Sequence, residues 1–222
     1  MLHNFEVPLE WKRLSALLEA ADVRNEIQQI SFNPNKLAFE PYIADVLSDL
    51  EAKNKVLPYN ITFQLIYLYE DNKFLILEPF YHFNKYRLIC LRSDFYQAYP
   101  ANFDLLKFKN YCKTRNEEAI KSGLRANIWH NEIGANIFGA AEDAGYFGGN
   151  GSSGWKYLAL CNFLFDLYSQ SKNMKLYRIA PYENIMVDGK LFTINNLFGR
   201  SEEHYKTALK QYFIRNIKLV VS

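Results

Sequence analysis

The sequence predicts an α+β fold, and three observations carry that prediction. Helical apolar spacing marks the two ends and residues 153–169, whereas strand-type composition fills 61–92 and 184–194. No sustained β-α-β-α alternation is present, which argues against a doubly wound parallel sheet. Of 222 residues, 49% are hydrophobic and 23% charged, a balance that builds a core and excludes a disordered chain. The expected architecture is an antiparallel meander sheet over about 61–92 and a later hairpin over about 184–194. Four to six helices pack on them, including a buried central helix over about 153–169. Residues 1–222 read as a single domain, with an N-terminal helical layer over 1–55.

The first helix is expected to start near Pro8, a residue suited to a first helical turn. Trp11, Leu14, Leu17, Leu18 and Ala21 share one side of it. Ser31 to Pro34 ends this stretch. A second helix follows from about Pro41, with Ile43, Val46, Leu47 and Leu50 at i, i+3, i+4 and i+7. Residues 61–69 (ITFQLIYLY) then switch to β-branched and aromatic composition. Glu70 to Lys73 reads as a turn, Phe74 to Glu78 as a second strand, and Tyr86 to Leu91 as a third.

Helix is expected again from Phe103 to Lys121, and residues 126–154 read as irregular apart from a helix-like Ala140–Ala144. Ser152 or Ser153 is a good N-cap for the central helix, whose Leu158, Ala159, Leu160, Phe163, Leu164 and Phe165 leave almost no polar face. Within it, Asn162 and Asp166 sit one turn apart and predict a buried packing contact or a polar edge. Leu176–Ile179 and Asn184–Val187 read as strands. Asp188-Gly189 is a strong hairpin turn into Leu191–Ile194. Ser201-Glu-Glu opens a last amphipathic helix carrying Tyr205, Ala208, Leu209, Tyr212 and Phe213, and Ile217–Val221 reads as a closing strand.

Charge excludes little on its own. Lysine plus arginine is 26 and aspartate plus glutamate 24, a balance from which nucleic-acid binding is not expected. The charge is nevertheless blocked, with net values of −5 over 1–52, +5 over 53–125, −3 over 126–170 and +5 over 171–222. No apolar window is long enough to span a membrane, and Met1–Glu6 lacks a signal-peptide layout. Cys90, Cys112 and Cys161 show no CxxC or zinc-ligand spacing. Cytoplasmic location, no cofactor and no metal are therefore expected. The 21 Asn residues, with abundant Phe, Tyr, Lys and Ile, suggest an A/T-rich genome or a mobile gene.

The most unusual segment is Gly145–Gly154, which holds five of the ten glycines. Gly149, Gly151 and Gly154 match GxGxxG, and with Ser152 and Ser153 they form a weak anion-binding candidate at a helix start. The strand that a dinucleotide fingerprint needs before it is missing. The favoured reading is a structural loop capping the central helix; the next is a contact surface or lid. His130, Glu132 and Asp143 just before the loop offer an acid/base or ligand set, but their spacing is not diagnostic. His82 among Tyr81, Phe83 and Lys85 reads as a packed strand edge. Aromatics are 16% of the chain, and Tyr96, Tyr99, Tyr146, Phe147 and Trp155 fall in expected loops or loop edges, where they would serve as partner anchors.

Two functions follow. The favoured one is a non-enzymatic protein-binding domain, concretely a bacterial immunity or inhibitor protein that binds and neutralises one protein partner, a toxin or an enzyme. The alternative is an enzyme, a metal- or acid/base-dependent hydrolase or nucleotide-acting protein, with its site at 129–154.

Overall fold

The computed structural model describes residues 9–19, 23–69 and 73–217. In chain order the elements are α1 (Leu9–Glu19), β1 (Asn25–Phe32), α2 (Glu40–Asp49), β2 (Ile61–Leu68), β3 (Lys73–Leu77), α3 (Lys85–Leu91), α4 (Phe95–Ala98) and α5 (Leu105–Thr114). They continue with α6 (Asn116–Arg125), α7 (Glu132–Phe138), α8 (Ser153–Ser171), β4 (Lys175–Ile179), β5 (Asn184–Val187), β6 (Lys190–Thr193), α9 (Ile194–Phe198) and α10 (Glu203–Ile217). The class is α+β, with a four-stranded sheet, a separate two-stranded hairpin and ten α-helices among the described residues. Two compact units form. One takes its residues from 1–29, 64–78 and 175–222, the other from 30–63 and 79–174.

The first unit is built on the sheet, whose strand order is β1-β2-β3-β4. β2 and β3 pair antiparallel, with Ile66 opposite Leu75. β3 and β4 pair parallel, with Leu75 opposite Tyr177. Every residue of β3 is buried, the pattern of a strand covered on both faces. Where β3 and β4 end, Arg178 and Glu78 form an ion pair with both side chains out of solvent. The β5–β6 hairpin turns at Asp188 and Gly189, both at positive φ (48° and 77°), as a two-residue hairpin turn of mirror-image type requires. α1 buries Trp11, Leu14 and Leu18, and α10 buries Leu209, Tyr212, Phe213 and Ile217.

The second unit is organised around α8, which buries residues on every side as its continuous apolar sequence implies. The polar exceptions are paired. Asp166 accepts from Arg87 at 3.0 Å and from the Tyr96 hydroxyl at 2.5 Å. The Asn162 amide donates to the Leu158 carbonyl at 3.1 Å. This is the packing role expected of that pair.

Several expectations need correction. Tyr86–Leu91 is helix α3, so the meander has no third strand there. The Asn84 side chain caps it, accepting from the Tyr86 and Arg87 amides at 2.9 and 3.1 Å, and the buried Tyr86, Arg87, Cys90 and Leu91 repeat at helical spacing. A local cap outweighs β-type composition here. β3's other neighbour is the parallel β4. Residues 1–55 are not wholly helical, because β1 lies within them. Its NEIQQISF sequence is polar, as suits a strand at the sheet edge. The expected helix over 103–121 is two helices divided at Arg115. α7 interrupts the irregular 126–154 stretch, and Ala140–Ala144 is not helical. Ten helices replace the four to six expected because short helices such as α4, α7 and α9 leave little periodic signal. The expected helix start at Pro8, the turn residues 70–72 and the closing strand beyond Ile217 lie outside the described residues. The β5–β6 hairpin, the central helix and the start of α2 match the sequence reading.

Candidate functional site

The start of α8 and the loop before it bring together most of the residues that sequence singled out. Ser152 is the N-cap, with extended backbone. Its hydroxyl accepts from the Trp155 amide at 3.0 Å and donates to the Trp129 carbonyl at 2.7 Å. The Gly154 amide also donates to Trp129 O, at 3.1 Å. The Ser152 amide donates to the Tyr86 hydroxyl at 3.1 Å, and the Lys156 amide to Ser152 O. Three of the N–H groups that an anion would use at this helix start, those of Ser152, Gly154 and Trp155, are thus given to protein oxygens. Gly151, Ser152, Ser153 and Gly154 are all buried.

The glycines allow close approach, but to protein. A Cβ at Gly154 would collide with the Ile128 carbonyl oxygen, and one at Gly151 with the Tyr86 hydroxyl. Gly151 also sits at φ 63°, where a side chain is strained. Gly149 lies against the Glu142 carboxylate.

Glu142 fixes the loop from within. Its amide donates to Gly151 O, its carbonyl accepts from the Trp129 indole at 2.8 Å, and its carboxylate accepts from the Asn150 amide at 3.0 Å. Phe147 packs on Trp129 and Trp155 at centroid distances of 5.1 and 5.6 Å. Its carbonyl accepts from Lys85 Nζ at 3.0 Å.

The anchors expected of the aromatic set divide sharply. Trp155 is fully buried and Tyr96 is buried on Asp166, so both belong to the core rather than to a contact surface. Each lies on a helix whose inward face claims it. Tyr99 is half-buried against Phe39 and Phe95, and Phe147 is half-buried as described. Tyr146 alone of the five is open, with 60% of its surface exposed and its hydroxyl beside Gly148.

The acid/base candidates are at the surface. His130, Glu132 and Asp143 are all exposed, flanking the Trp129–Glu142 contact and the start of α7. Asn131, between the first two, caps α7 by accepting from the Gly134 amide at 2.8 Å. Among the described residues, no three His, Cys, Asp or Glu side chains stand close enough to hold a metal ion. The thiols are also unsuited to attack, since burial pushes Cys90 and Cys161 up to about 12 and a thiol reacts as its thiolate.

A second group around the loop escaped the sequence reading. The Lys156 chain is buried, and its ammonium meets Glu51 at 3.0 Å while lying near the Tyr86 and Phe138 rings. Lys85 Nζ lies 4.8 Å from the Phe147 ring centroid and 4.9 Å from that of Tyr86. The hydrogen bond from Lys156 lowers the Glu51 carboxyl. Burial, then the neighbouring Lys156 charge, lowers the Lys85 ammonium. Burial raises the Tyr86 hydroxyl, with the Ser152 amide opposing it. A lysine inside an apolar helix was the available signal for Lys156; nothing in the sequence pointed to Glu51. The cluster clamps the loop onto α3 and α8.

A model described as a family of unknown function (DUF7255) matches residues 44–200. The chain belongs to this family. The match spans the whole loop and its clamp, and it leaves out α1 and α10. No curated protein and no solved structure matches the chain. Among the described residues, no helix is long and apolar enough to cross a membrane.

Proposed function

We propose that this is a non-enzymatic, cytoplasmic protein-binding domain that contacts its partner through the 139–151 loop, concretely a bacterial immunity or inhibitor protein that neutralises a toxin or enzyme. The observation that carries the reading is Tyr146, 60% exposed on a loop held from inside by Glu142, Phe147 and Lys85. A large aromatic held out on an ordered loop pays little entropy on binding, the property of an interface anchor. Exposed Glu132 and Asp143 nearby in the chain, in a segment of net −3, favour a partner with a basic contact surface.

The test uses the tagged full chain as bait in lysate of its native cell, with native mass spectrometry of what is retained. Wild type is expected to hold one protein at fixed stoichiometry and to suppress that protein's activity. Tyr146→Ala is expected to weaken the complex at least tenfold with an unchanged melting temperature, because the ring is outside the core. Full retention of the partner by Tyr146→Ala would overturn the loop assignment. A captured protein whose activity is untouched would overturn the inhibitor reading.

A further inference from the structure

The first unit carries an open groove of about 770 Å³ between α1, α10 and the turn after α9. That lies within the ~300–1,000 Å³ range of ligand clefts. α10 has two working faces. One is the core face already described. The other turns Glu203, Lys206, Thr207, Lys210 and Ile214 toward the groove, at the i, i+3, i+4, i+7 spacing of a helix stripe. α1 contributes Arg13, Ala16 and Leu17.

The floor is apolar, with Leu17 and Ile214 part-exposed and Leu197, Phe198 and Leu209 buried beneath them, while the rim is cationic. Arg13, Arg200, Lys206 and Lys210 face one acid, Glu203, a net of +3 among the lining residues. Arg13 is fixed by donating to the Phe198 carbonyl at 2.9 Å. Arg200 is fixed over the Phe192 and Tyr205 rings, at 5.0 and 4.7 Å. Neither of these contacts is to a carboxylate, although the Glu202 carboxylate also feels the Arg200 charge. The Lys206–Glu203 contact is 3.6 Å long between well-exposed side chains, so it is weak and readily exchanged.

We propose that this groove binds an acidic amphipathic helical segment of a partner protein. The stripe from Glu203 to Ile214 extends about 16 Å along α10, or roughly three helical turns. Its occupant is therefore elongated, with apolar anchors repeating at i, i+3, i+4 and i+7 on the floor. The cations stand on both walls and along the length of the groove. That placement suits several carboxylates spaced along one segment better than the single head of a fatty acid. It also disfavours a second copy of the same face, which would set like charges against each other. The lining residues do not include Tyr146, so the proposal is tested apart from the loop.

The experiment measures fluorescence polarisation of a labelled helical peptide with leucines on one stripe and glutamates on both flanks, titrated with the full chain. Saturable binding that weakens as ionic strength rises is expected. The same peptide with lysine in place of every glutamate is expected not to bind. The double variant K206E/K210E is expected to lose tenfold or more in affinity, and Lys210→Glu alone less. Neither side chain is buried, and circular dichroism of each variant serves as the control for folding. Tyr146→Ala is expected to bind this peptide as wild type does, which separates this outcome from the loop reading. Equal binding of the two peptides, or unchanged affinity in K206E/K210E, would overturn the proposal. So would displacement of the peptide by dodecanoate at lower concentration than by unlabelled peptide, or a concentration-dependent dimer that K206E/K210E dissolves.

Discussion

The start of α8 and the groove beside α10 invert what their sequences advertise. The α8 start has a glycine run, two serines and a GxGxxG match, and the structure closes it with its own backbone oxygens. The groove is lined by ordinary lysines, arginines and leucines from the two ends of the chain, and it is open. Glycines mark places where two pieces of backbone approach closely, whatever those pieces are. A ligand is one such piece; the carbonyl of Ile128 is another. An open concavity needs only that side chains from distant segments fail to meet, which no local motif records.

The strongest test of that contrast is Gly154→Ala. In an exposed helix this change stabilises by about 1 kcal/mol through helix propensity. Here the added methyl strikes the Ile128 carbonyl, and overpacking costs about 1–3 kcal/mol or more. A net destabilisation in urea unfolding is expected. A variant more stable than wild type would mean that the cap is loose, and would reopen the site to a ligand.

Ser152→Ala probes the same cap by removal. The change deletes an acceptor for the Trp155 amide and a donor to the Trp129 carbonyl, both buried. Loss of such a cap costs about 1–2 kcal/mol. Inorganic phosphate sharpens the comparison, because it is expected to leave the wild-type melting temperature unchanged if those amides are already bonded. A phosphate-dependent rise abolished by Ser152→Ala would assign the cap to anions instead.

The same contrast explains what was legible in the sequence. The β5–β6 hairpin was readable because Asp188-Gly189 dictates its own turn. α8 was readable because its central run from Leu158 to Phe165, interrupted only by Asn162 among strongly polar residues, has nowhere to go but inside. The α3 segment was misread because its fate rests on one side chain, Asn84, bonding two amides beyond it. β1 was missed because an edge strand needs little apolar alternation. At the site, Ser152 as the cap and the structural role of the glycines were legible. The loss of Tyr96 and Trp155 to the core was not, since an aromatic looks alike in sequence whether it faces Asp166 or solvent.

The smallest effect expected concerns the clamp on the loop. Glu51 is 74% exposed at its side chain, yet it neutralises the buried Lys156 ammonium. Lys156 holds the Glu51 carboxyl below its ordinary 4.5. The folded pKa is thus lower than the unfolded one. The stabilisation is complete above the unfolded value and fades as pH falls through the folded value. Glu51→Gln is expected to cost about 0.5 kcal/mol at neutral pH, the scale of a solvent-screened pair. Its stability should converge with that of wild type in acid below that range. Urea midpoints for both proteins across this pH range check it. Curves that stay parallel into acid would mean that the contact carries no charge-dependent energy, leaving Phe147, Trp129 and the Glu142 bonds to hold the loop by themselves.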